Sequence, residues 1–171
     1  MAVQHGIWKI GETPLHLQPA QLETELLLED QITKDISILN SNWLLIGRQV
    51  YTDFGKYIDL LAIDATGSII VIELKKHKTS RDVVAQSIDY AAWVENLASE
   101  RIAQIYQDYA EQQQLPFKTF DEAFKAKFGV NAVEEDINQT HQIVIVAAEL
   151  DASTERIINY LNDKASIAVN A

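Results

Sequence analysis

The chain has 171 residues, no cysteine and a formal net charge of −11. That length makes one domain, 1–171, with room for a substantial core. The missing thiols exclude disulfides, zinc-finger ligand sets and cysteine nucleophiles. There is no run of 18 apolar residues and no leader pattern, so the chain reads as soluble and cytoplasmic, with no membrane partner. Strong acidity argues against a protein that coats nucleic acid with positive charge. The charge is unevenly spread: residues 47–81 hold six Lys/Arg against four Asp/Glu, and the remainder eight against 21.

In chain order, "GIWKI" (6–10) suggests a short edge strand, and a loop containing Pro14 and Pro19 follows. Leu22, Leu26 and Ile32 recur at helical spacing and predict a helix over 21–35. "WLLIGRQV" (43–50) predicts a strand and "TDFGK" (52–56) a turn. Residues 57–63 and 68–75 form the two strands of a hairpin around "DATG". Ser80 caps a helix running to about 97, with more helix to about 113. "TFDE" (119–122) has the form of a capping box and opens a helix ending near Gly129. A buried strand at 142–148, an amphipathic helix at 153–163 and a terminal strand at 166–171 complete the order. The order predicts an α/β fold, a mixed β-sheet flanked by helices. The last strand stops without a turn or cap, so the chain is expected to be the N-terminal part of a longer polypeptide.

The hairpin carries the chemistry. A three-residue loop closed by Gly67 in the left-handed conformation pairs Asp64 with Ser68 and sets Asp59 opposite Glu73. Lys75, two residues on, shares their face. Facing carboxylates in an apolar sheet repel, so one is protonated or a cation lies between them. A hard divalent ion with oxygen ligands fits, and a neighbouring lysine can orient a metal-activated water and stabilise charge on a phosphoryl oxygen. The alternative is an ion triad with no catalytic role. Upstream, Glu25 and Glu29 share the predicted interior face of their helix; downstream, Gln86 and Tyr90 point the same way from theirs.

Asp59, Glu73-Leu74-Lys75 and Gln86-x-x-x-Tyr90, with a helical glutamate upstream, resemble the PD-(D/E)XK nuclease superfamily. Residues 44–94 look most like the catalytic domain of NucS-type endonucleases and their bacterial relatives. The resemblance implies a restriction-endonuclease-like core and hydrolysis of DNA phosphodiesters with Mg²⁺, for which Mn²⁺ would substitute. It implies that Asp59 and Glu73 bind the metal with the Leu74 carbonyl, and that Lys75 positions the attacking water. Gln86 and Tyr90 line the site, and Glu25 matches the helical glutamate better than Glu29. Ile58 stands where the superfamily's name has proline. DNA contact is expected on the less acidic side, at Arg48, Lys56, Lys76, Lys78 and Arg81, and cutting both strands would favour a homodimer. Two other readings stay open: a catalytically inactive nucleic-acid-binding module of the same fold, and a protein-interaction domain.

Overall fold

A computed structural model describes residues 7–17, 24–165 and 167–171. Its centre is a five-stranded mixed sheet of β3 (Leu44–Tyr51), β4 (Tyr57–Ile63), β5 (Ile69–Thr79), β6 (His141–Leu150) and β7 (Val169–Asn170), in that spatial order. The pairs β3–β4 and β4–β5 are antiparallel, and β5–β6 and β6–β7 are parallel. The central strands are buried on both faces: every residue from Leu60 to Ile63 and from Ile69 to Leu74 lies in the interior. Such strands read as continuous β-branched runs rather than alternating ones. Each Ile or Leu so buried stabilises the fold by about 1.5–3 kcal/mol relative to exposure.

Gly67 adopts φ +86°, and its N–H donates to the Asp64 carbonyl at 3.1 Å. The Asp64 side chain accepts from the Thr66 N–H (2.8 Å), the Thr66 hydroxyl (2.6 Å) and the Ser68 N–H (3.1 Å). This turn sets the register from Ile63↔Ile69 to Leu60↔Ile72, and one step further places Asp59 opposite Glu73. The paired ladder itself ends at Leu60↔Ile72, and Asp59 and Glu73 are the next positions along it. β5 runs four residues beyond the expected end because β6 continues alongside it, through an irregularity between Lys75 and Lys78.

α2 (Arg81–Val94) begins after Ser80, which has N-cap backbone geometry but makes no side-chain capping bond. Its Val83, Val84 and Ala91 pack with Ile143 and Ile145 of β6 and Ile158 of α5 (Ala152–Tyr160). Ile145 lies opposite Glu73 in the parallel ladder, so α2 and α5 cover the Glu73 face. α3 (Ser99–Gln112) packs closely on β3 at Gly47, where an added Cβ would stand 2.5 Å from Val50 Cγ2 and 3.0 Å from Ile105 Cγ2. α4 (Phe120–Phe128) shows the expected capping box of Thr119 and Glu122, and it closes at Gly129 with φ +76°. Among the described residues no helix is long and apolar enough to cross a membrane.

Three expectations are corrected. Residues Ile7–Lys9 (β1) do not join the main sheet; they pair with Leu15–Leu17 (β2) in a separate hairpin, inside the stretch expected as loop. The helix α1 spans Glu25–Lys34, and Leu26 is 61% exposed rather than interior. The buried residues are Glu29 and Ile32; Leu26 and Ile32, six residues apart, stand about 120° from each other around the helix and so cannot both face the sheet. Leu22 and residue 166 lie outside the described residues.

Candidate active site

Asp59, Glu73 and Lys75 come together on one face of the hairpin. Glu73 is 1% exposed, and its Oε1 accepts from Lys75 Nζ at 2.7 Å. Its other oxygen, Oε2, is buried with no hydrogen-bond partner. Asp59 Oδ2 accepts the Leu74 N–H at 2.8 Å, and Oδ1 accepts from Gln49 Nε2 at 3.2 Å. Burial, then the Asp59 charge, push the Glu73 carboxyl up to about 7, against the opposing pull of Lys75. Burial also raises Asp59, although the Leu74 N–H and Lys75 oppose it. For Lys75 burial disfavours the charge, but the hydrogen bond and charge of Glu73 outweigh it and the pKa is raised. The ammonium is therefore held protonated.

Both helical glutamates reach this end of the sheet, but they do not share an interior face as expected: Glu29 is buried and Glu25 is exposed. Glu25 Oε1 accepts the Lys76 N–H at 2.9 Å, close enough for its charge to act on Glu73 and Lys75. Glu29 is buried in an ion pair with Arg48, Nε to Oε1 at 2.5 Å, and its Oε2 accepts from Gln49 Nε2 at 2.9 Å. Gln86 Nε2 donates to the Tyr90 hydroxyl at 2.8 Å, and Tyr90 is 1% exposed. The phenol lies near enough to Glu73 and Asp59 for their charges to add to the burial that raises its pKa.

Other contacts at the site carry no sequence signal. Phe54 stacks on Tyr90 at 6.0 Å, and Trp93 Nε1 donates to Asp53 at 3.1 Å, fastening the 52–56 turn to α2. Gln49 bridges Glu29 and Asp59 from a strand position with φ +49°. A cavity of about 270 Å³ borders Gln49, but it is lined by Arg48, Tyr51 and Tyr109 and contains none of the three hairpin residues.

The expected basic side is more engaged than its sequence suggests. Arg48 is held by Glu29 and by Asp30 at 2.6 Å, which corrects its expected placement as an open cation. Lys78 Nζ pairs with Glu149 at 2.6 Å. Lys56 and Arg81 are exposed, and Lys76 is partly so. Among the described residues no group of three or more His, Asp or Glu is arranged to hold a metal. Two carboxylates converge instead, which is the kind of donor set a hard cation completes with carbonyl and water oxygens.

Fold and cluster define a mixed-sheet α/β domain with a carboxylate–lysine centre on its central hairpin. The chain belongs to the family described as the endonuclease NucS C-terminal domain, whose family model matches residues 24–137. The fold is similar to that of EndoMS in its complex with dsDNA, with TM-score 0.51 and 12% identity, over 97% of this chain and 63% of that one. A repair endonuclease from Pyrococcus abyssi gives TM-score 0.49 and 16% identity over 92% of this chain and 50% of that one. EndoMS in its apo form gives 0.49 and 13% over 97% and 63%. The chain thus spans between half and two thirds of the length of these structures. None of the curated proteins matches it.

Proposed function

We propose that this chain is the cleaving domain of a PD-(D/E)XK-type, Mg²⁺-dependent DNA endonuclease. One observation carries the reading: Glu73 is buried beside Asp59 with one oxygen on Lys75 and the other unpartnered. A buried carboxylate oxygen without a donor costs about 1–3 kcal/mol or more, and a like charge beside it adds to that. A divalent cation relieves both, so the residues present fit the ion. Asp59, Glu73 and the Leu74 carbonyl would hold it, and Mn²⁺ would replace Mg²⁺. When bound, the ion activates water and offsets charge on the phosphate.

The chain's own residues supply positioning. Lys75 stays protonated, so its role is to orient the attacking water and to stabilise charge on the phosphoryl oxygens, not to accept a proton. Glu73 fixes the ammonium. Glu25, held on the Lys76 N–H, adds a further negative group, while Gln86 and Tyr90 form the wall over Glu73. Membership in a family named for an endonuclease, and a fold shared with EndoMS in its dsDNA complex, support DNA as the polymer. DNA would approach over Lys56, Lys76, Lys78 and Arg81, and a homodimer would allow both strands to be cut. The reading places the protein in the cytoplasm, with its DNA.

Supercoiled and branched DNA incubated with Mg²⁺ or Mn²⁺ provides the test. Wild type should nick it, and Glu73→Ala should lower the rate at least a hundredfold. Binding without nicking, equal in wild type and variant, would leave the inactive nucleic-acid-binding module instead.

A further inference from the structure

β3 is bulged between Leu45 and Gly47, and further along its backbone takes a positive φ at Gln49. Its neighbours Arg48 and Val50 pair with Leu60 and Ile58 of β4, so Gln49 lies opposite Asp59. Its φ of +49° is in the left-handed region, which glycine or asparagine adopts more readily than glutamine. Such a conformation persists only where the surroundings impose it, and it is enriched at functional sites. Here the surroundings are identifiable. The Gln49 amide places one N–H on Glu29 Oε2 at 2.9 Å and another on Asp59 Oδ1 at 3.2 Å. Glu29 is anchored by Arg48, the preceding residue, which also holds Asp30. A chain of contacts therefore runs from Asp30 through Arg48, Glu29 and Gln49 to Asp59, and on to the Leu74 N–H.

We infer that Gln49 is a positioning residue, kept in a strained backbone conformation so that its amide can orient Asp59 toward Glu73. Resting on the proposed metal-dependent function, this adds a residue to it. Asp59 has two oxygens and a free χ2; the Leu74 N–H fixes one oxygen, and Gln49 fixes the other. Without the amide the carboxylate can rotate and Glu29 is left facing it unscreened. An amide is suited to this position because it donates to both carboxylates without adding charge. Glutamate there would place a third negative group between two others. Outer contacts of this kind typically change metal affinity or activity 10–100-fold when removed.

Gln49→Gly separates positioning from folding, because glycine accepts the backbone conformation and lacks the amide. Gln49→Asn also tolerates the left-handed region but is one methylene too short to span both carboxylates. Mn²⁺ affinity by calorimetry, melting temperature without metal, and nicking kcat and KM are to be measured for wild type, both variants and Asp59→Asn. The expected result is Mn²⁺ binding 10–100-fold weaker in both variants, with kcat lowered, KM for DNA unchanged, and Gln49→Gly melting no lower than wild type. Binding of Mn²⁺ by Gln49→Gly within threefold of wild type would overturn the inference while leaving the metal reading intact. A melting temperature lowered in both variants in step with affinity would overturn it too, by showing a structural role. Wild type that binds no Mn²⁺, like Asp59→Asn, would remove the metal reading and this inference with it.

Discussion

Lys75 Nζ lies 2.7 Å from Glu73 Oε1, two residues back on the same strand, while Glu73 Oε2 is buried without a partner. The lysine therefore compensates only part of what burial and Asp59 do to the glutamate. The Glu73 carboxyl remains near 7 despite an ammonium in hydrogen-bond contact. Burial and the like charge of Asp59 outweigh what the pair with Lys75 returns. The hairpin holds an electrostatic deficit that a cation, a proton or a substrate group can fill.

The first consequence is a pH dependence of stability in metal-free protein. Glu73 ionises at about 4.5 when unfolded and about 7 when folded. Between those values the folded state binds more protons, so stability falls as pH rises. The contribution is fully present below about 4.5 and is lost as pH passes through 7. It amounts to about 3 kcal/mol, from about 1.4 kcal/mol per pKa unit. Asp59, also raised, acts in the same direction. Chemical denaturation without metal at pH 5 and pH 8 should show the difference, and Glu73→Gln should flatten it. A wild type more stable at pH 8 than at pH 5 would contradict the raised carboxyl.

Metal should reverse that trend. Binding requires the carboxylates ionised, so stabilisation by Mn²⁺ grows above pH 7. At one hundred times the dissociation constant it reaches about 2.7 kcal/mol. For a chain of this size each kcal/mol is about 2–4 °C in melting temperature. Asp59→Asn should abolish the shift and, by removing one of two like charges, raise stability when metal is absent. A melting temperature unchanged by millimolar Mn²⁺ at pH 8 would rule against the site.

Much of this arrangement was legible in the sequence because it is local. The "DATG" turn determines the hairpin register, and the register determines that Asp59 faces Glu73. What escaped depends on distant partners. Arg48 looked like an open cation in a basic stretch, but α1 brings Glu29 and Asp30 onto it. Glu25 and Glu29 were indistinguishable by spacing; only packing sends one to the Lys76 N–H and the other to Arg48 and Gln49. Gln49 has no local signature, since glutamine does not announce a left-handed residue in a strand. β2 is three residues long, too short for any periodicity to show.

Gly67→Ala should be among the most damaging single changes. The left-handed backbone alone costs a side chain about 1–3 kcal/mol. A Cβ would also stand 2.5 Å from the Asp136 carbonyl oxygen and 2.9 Å from its carbon, which are backbone atoms rather than a movable side chain. Such overlap adds about 1–3 kcal/mol. The expected outcome is a melting temperature lower by 5 °C or more, from about 2–4 °C per kcal/mol. Because the same turn sets the Asp59–Glu73 register, any Mn²⁺ shift should shrink with it. Gly67→Ala melting like wild type would mean the turn can rearrange, and the register argument would lose its physical basis.

The basic side should divide into two classes under mutation. Lys56 and Arg81 are exposed, whereas Arg48 is committed to Glu29 and Asp30. Burial disfavours the Arg48 charge, but hydrogen bonds to both carboxylates raise its pKa, the signature of a cation already paired. Arg48→Ala should therefore act on stability, lowering it by about 3–5 kcal/mol, because it strands the buried Glu29 carboxylate. Lys56→Glu with Arg81→Glu should leave the melting temperature nearly unchanged and weaken DNA binding. If each cation neutralises one phosphate, the slope of log K against log salt should flatten by about 0.9 per residue removed, roughly 2 for the pair. Fluorescence anisotropy with a labelled duplex across a salt series measures both quantities. If the double reversal leaves affinity and slope intact, DNA lies on another surface, and the open cations beside the hairpin are not what brings the phosphate to Glu73.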